Sequence, residues 1–160
     1  MKILQKITFF AFAIFALATF SSCSNNDSSS EDEIEVEENF IKFKYKGNSY
    51  SFNPELSTSD AMNLMGYQGI DDTYKSVSLW MPLNASAGSH PIVYDLKKLN
   101  TTYQVEFKLL PEIGIAKVTS GTITITVIDS KKIQGTFNFS GTNGETAFTV
   151  TDGSFSFYRF

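Results

Sequence analysis

From Phe40 to the carboxyl end, apolar side chains recur at every second position in one short run after another. That regularity restricts the fold more than any other feature of the chain. A repeat of two belongs to a strand with one buried face, whereas an amphipathic helix repeats near 3.6. In "FIKFKYK" (40–46), Ile41, Phe43 and Tyr45 share one face, and Lys42, Lys44 and Lys46 the other. The lysines fit a solvated face that also discourages edge-to-edge pairing. "GN" (47–48), followed by Tyr50 and Phe52, completes a hairpin. "AMNLMGYQG" (61–69) reads as a strand between glycines. Over 74–81, Val77, Leu79 and Met81 separate from Ser76, Ser78 and Trp80. Over 101–110, Tyr103, Val105, Phe107 and Leu109 separate from Gln104, Glu106 and Lys108. Over 121–129, Ile123, Ile125 and Val127 point inward and three threonines outward. Ile133, Phe137 and Phe139 follow, then a loop at 141–145, then Phe148, Val150, Phe155 and Phe157. "DG" (152–153) marks a bulge whose glycine takes positive φ. The pattern predicts an all-β domain over 40–160, an antiparallel β-sandwich of about eight or nine strands. The alternative is a calycin-like closed barrel, which requires the first and last strands to pair.

The chain before Phe40 obeys other rules. Lys2 and Lys6 precede the uncharged apolar run "ITFFAFAIFALATF" (7–20), and Ser21 and Ser22 follow. This is the pattern of a secretory signal over 1–22, short for a stable membrane span. The sole cysteine, Cys23, comes next. "FSSC" resembles the lipobox of bacterial lipoproteins, with Phe20 where Leu is usual. The resemblance implies cleavage before Cys23, acylation of its thiol and stable membrane attachment through several acyl chains. Residues 23–39 then form an acidic, serine-rich tether, with seven acidic and no basic side chains over 24–39. The acidic residues resemble the surface-export signals of lipoproteins of the Bacteroidota. The expected location is the cell envelope, at the outer membrane, with exposure on its outer leaflet a further expectation.

The carboxy-terminal half carries a second resemblance. Gly121 to Thr126 (G-x-I-x-I-T), Gly135 to Phe139 (G-T-F-x-F) and Thr151 to Phe155 (T-x-G-x-F) are similar to the ending of an uncharacterised secreted lipoprotein family of the Bacteroidota. The resemblance implies a secreted β-domain and no particular activity.

Little in the chain points to catalysis. Residues 40–160 hold 11 basic and 10 acidic side chains, a net of +1, and no basic block that would suit a nucleic acid. His90, the one histidine, sits in "AGSHPI", a turn-forming run before a strand that starts at Pro91. Asp71 and Asp72 are adjacent in a loop, Glu106 lies on an outer face, and Glu55, Glu112, Asp129 and Asp152 fall in loops or turns. Such scatter suits neither a glycosidase pair nor a calcium loop, and zinc lacks ligands. No enzyme activity, cofactor or metal is expected. The candidate binding residues are aromatic: Trp80 on the outer parity of its strand, with Tyr67, Tyr74 and Tyr94 in or near loops. They can stack on a sugar ring, or Trp80 can simply cover an edge. The expected function is a lipid-anchored, non-catalytic β-domain that binds a partner or braces an envelope assembly. Two other readings are a glycan-binding accessory module of a surface uptake system and a carrier of a small apolar ligand. The carrier would have Phe107, Phe137, Phe139 and Phe155 lining a cavity.

Overall fold

A computed structural model describes residues 38–114 and 116–159. The signal segment, Cys23 and all of the tether before Glu38 lie outside the described residues. Among the described residues, ten antiparallel strands form two sheets. The first contains β1 (Phe40–Tyr45), β2 (Asn48–Phe52), β6 (Gly88–Pro91), β8 (Ala116–Ile128), β9 (Lys132–Asn143) and β10 (Thr146–Tyr158), in the order β2-β1-β10-β9-β8-β6. The second contains β3 (Pro54–Thr58), β4 (Met62–Gln68), β5 (Lys75–Met81) and β7 (Gln104–Leu109), in the order β3-β4-β5-β7. The first and last strands do pair, with Ile41 opposite Phe155. That pairing lies inside the six-stranded sheet and closes nothing, because β2 and β6 remain its edges. The fold is the sandwich, not the closed barrel.

The inward parity is the one the alternation predicts except at Val127, where a bulge after Ile125 shifts the register and Ile128 packs against the core instead. Ile41, Phe43, Ile123, Ile125, Phe137, Phe139, Val150 and Phe155 of one sheet are buried against Leu64, Val77, Leu79, Phe107 and Leu109 of the other. Phe107 is the inter-sheet knob: its ring meets Phe43 at 5.7 Å, Phe139 at 5.3 Å and Phe148 at 5.5 Å. Glycines make room for these rings. Gly135 pairs with Phe155 and Gly153 with Phe137 across β9 and β10. A Cβ on Gly135 would meet the Thr124 carbonyl oxygen and come within 2.7 Å of the Phe155 ring.

Several local expectations are corrected. The first hairpin turns at Lys46 and Gly47, both at positive φ, as a type I′ turn requires, and Asn48 already pairs with Tyr45. The loop expected at 141–145 shrinks to Gly144 and Glu145, because β9 runs on to Asn143. The 152–153 bulge is present, but Asp152 takes the positive φ (52°), and Gly153 serves to admit the Phe137 ring. Glu55 stands in β3 and His90 in β6, not in turns.

The sheets meet at both ends of the strand order. β2 runs through Asn53 directly into β3. On the other side the chain leaving β6 bonds the residue preceding β7, with Val93 N donating to Tyr103 O at 3.0 Å. The His90 ring stacks on Tyr103 at 4.0 Å, and its Nε2 lies 2.8 Å from the Ser86 carbonyl oxygen.

Candidate functional site

The outer face of the four-stranded sheet carries the candidate aromatics. Cross-strand register sets Asn63, Trp80 and Gln104 in one row, Met65, Ser78 and Glu106 in the next, and Tyr67, Ser76 and Lys108 in a third. Ser76 and Ser78 are buried by the larger side chains around them, so the floor between the rows is low.

Trp80 and Tyr94 come together. The segment after β6 folds back over the end of the sheet through a 3₁₀ turn at Leu96–Lys98, and Asp95 caps it by accepting from Lys97 N at 3.2 Å. Gln104 holds this segment in place. Its Nε2 donates to Asp95 O at 2.6 Å and to Thr102 Oγ1 at 2.7 Å, and its Oε1 accepts from Asp95 N at 3.1 Å. An amide has this capacity in both directions, which explains a glutamine that is 3% exposed. The result is a cleft of about 300 Å³ lined by Trp80, Tyr94, Leu96, Leu99, Val105 and Ala116, with Gln104 and Glu106 as its polar groups. A second cleft of about 500 Å³ lies on the other side of Leu96 and Leu99, between Trp80 and the end of β3 with the residues Ser59, Asp60 and Ala61 that follow it. Trp80 is half-buried, while Tyr94 is 45% and Leu96 65% exposed. Lys117 Nζ stands 5.2 Å from the centre of the Tyr94 ring.

Tyr67 and Tyr74 form a separate pair, stacked at 6.4 Å. They sit at the far end of β5, beside Ser76, about 13 Å from Trp80 along the strand. The Tyr67 hydroxyl donates to Glu55 Oε1 at 3.0 Å, and this bond to a carboxylate raises its pKa. Lys108 Nζ lies 5.9 Å from the Tyr74 ring centre.

Sequence reasoning missed Leu96, Leu99 and Gln104. The spacing of Leu96 and Leu99 was the available signal, because residues three apart fall on one side of a 3₁₀ turn. The carrier residues behave otherwise than a cavity lining: Phe107, Phe137, Phe139 and Phe155 are buried and in ring contact with one another. Among the described residues no group of three or more His, Cys, Asp or Glu stands together. Asp71 and Asp72 fall in a 3₁₀ turn before β5. No protein-family model, curated protein or solved structure matches the chain.

Proposed function

We propose that this is a lipid-anchored protein of the cell envelope whose sandwich is a non-catalytic binding module, with the ligand seated against Trp80. It would belong with the uncharacterised Bacteroidota lipoproteins it resembles, held at the outer membrane by acylated Cys23. The observation that carries the binding reading is the cleft itself. An exposed tyrosine and a half-buried tryptophan converge there, on a loop pinned by a buried glutamine. Such concave, mostly apolar sites with a few polar groups are where ligands bind. A second reading, a glycan-binding accessory module, is favoured by the Tyr67–Tyr74 pair on the same sheet face.

Trp80 is the only tryptophan, so intrinsic emission reports on the cleft directly. Glycans, fatty acids and peptides are titrated against the protein while emission and thermal stability are read. A ligand at 100 times its Kd adds about 2.7 kcal/mol, worth several degrees. Tyr94→Ala removes the shift if the cleft is the site; an equal shift in wild type and variant refutes it. Cys23→Ser separately moves the protein from the membrane fraction to the soluble one, and retention at the membrane refutes lipid anchoring.

A further inference from the structure

The polar groups of the Trp80–Tyr94 cleft narrow what can sit in it. Gln104 has both ends of its amide committed to the loop. Glu106 is exposed and forms no ion pair among the described residues. Among the described residues of the lining it is the one charged side chain. The register sets Glu106 diagonally from Trp80 across β5 and β7, with the small Ser78 directly opposite it. Tyr94 lines the same cleft from the pinned loop, and Leu96, Leu99, Val105 and Ala116 are aliphatic. The nearby lysines are otherwise engaged. Lys108, two residues from Glu106, lies by the Tyr74 ring, Lys98 is paired with Asp95 at 3.7 Å, and Lys97 lines the second cleft. Lys117 Nζ, outside the lining, stands 5.2 Å from the centre of the Tyr94 ring. Lys97, Lys98 and Lys117 are exposed, where water and salt screen their charges. The Lys117 contact also shows that the Tyr94 ring is a surface on which a cation rests.

We propose that the cleft binds a small organic cation, an alkylated ammonium whose methyl groups lie against Trp80 and Tyr94 and whose charge is balanced by Glu106. The proposal rests on the cleft being the binding site. An aromatic face attracts a cation through its quadrupole, tryptophan most strongly, and the attraction grows as water is excluded. An alkylated ammonium has no N–H to satisfy, so aliphatic walls cost it little. A primary ammonium is more strongly hydrated, and a sugar brings hydroxyls; turned toward Leu96, Leu99 and Ala116, either loses its water without compensation. A fatty acid meets Glu106 as a like charge. At about 300 Å³ the cleft is at the small end of ligand sites, which suits a compact headgroup and not a long chain.

The test uses the full-length protein in a polyoxyethylene detergent, with Trp80 emission as the readout. The probes are choline, its uncharged tert-butyl isostere, ethanolamine, phosphocholine, hexanoate and soluble oligosaccharides. Choline is expected to bind saturably and about tenfold tighter than the isostere, which has its shape without its charge. Ethanolamine binds more weakly than choline. Glu106→Gln, an exposed and nearly isosteric change, weakens choline about threefold and leaves the isostere unaffected. Tyr94→Leu keeps apolar bulk and lowers the preference for choline over the isostere by about threefold. The order of choline and phosphocholine reports the source of the ammonium: tighter choline supports a free cation, and tighter phosphocholine supports the same site holding a lipid headgroup. Equal binding of choline and its isostere, ethanolamine as tight as choline, or a choline affinity unchanged in both variants overturns the cation. A response to hexanoate or oligosaccharides and none to choline overturns the cation while leaving the cleft as the binding site. Silence from every probe overturns both.

Discussion

Replacing Gln104 by methionine isolates what holds the cleft together. The two side chains are similar in length and volume, so packing is conserved while three hydrogen bonds are lost. Left in place, the loop would strand the N–H and C=O of Asp95 beside an apolar side chain. Stranding buried polar groups costs about 1–3 kcal/mol each. The loop has an escape: it can lift and hydrate these groups, losing the contact of Leu96 and Leu99 with Trp80. The expected cost is the smaller of the two, about 2–3 kcal/mol, because the lifted loop also gives up the apolar burial around Trp80. For a domain of this size the melting temperature falls by roughly 10 °C. Chemical denaturation gives the stability loss, and Trp80 emission gives the loop position. Emission shifts to the red in the folded variant, before the global transition, and ligand response is lost with it. A Gln104→Met protein within about 0.5 kcal/mol of wild type, with unchanged emission, would show that Leu96 and Leu99 hold the loop by packing alone.

Two further outcomes test the frame around the cleft. Gly135→Ala drives a methyl group into the Thr124 carbonyl and the Phe155 ring, so β8 or β10 must shift; a loss of about 3 kcal/mol is expected in urea unfolding, and a neutral result refutes the close approach. Glu112 accepts from Lys46 Nζ and from Tyr45 Oη, the latter at 2.8 Å, and these bonds, the lysine's first, hold its carboxyl below the usual range. A folded-state pKa below the unfolded one adds stability above the ordinary value near 4.5, and this is lost as pH falls through the lowered value. The urea midpoints of wild type and Glu112→Gln therefore converge on acidification, by a small amount because the pair is exposed; a gap that stays constant with pH contradicts the sign.

The strands that could be read from sequence are those whose two faces differ in chemistry. In β7, Val105, Phe107 and Leu109 alternate with Gln104, Glu106 and Lys108; the apolar set is buried, and of the polar set only Gln104, under the loop, is buried with it. β8 and β9 extend beyond their readable cores, because polar residues such as Lys117, Ser120 and Thr142 continue the ladder. β3 and β6 were hidden for a related reason. "PELST" and "GSHP" have little apolar content and serve as edges, where Pro91 forfeits no ladder bond that an inner strand would need. The glycines misled in one respect: Gly153 resembles a turn former, yet its function is to leave space for Phe137.

The outward orientation of Trp80 followed from parity, since it shares a face with Ser76 and Ser78. Its neighbours did not, because Tyr94, Leu96 and Leu99 reach it through a loop whose course depends on a residue nine positions from Asp95. Nothing in "VYDLKKLN" specifies a direction; Gln104 does, by bonding both polar groups of Asp95. Asp95 N bonds the Gln104 side chain, so the segment after Val93 turns away from Val105 instead of continuing beside it as a strand. Gln104→Met therefore releases the loop from the side of β7.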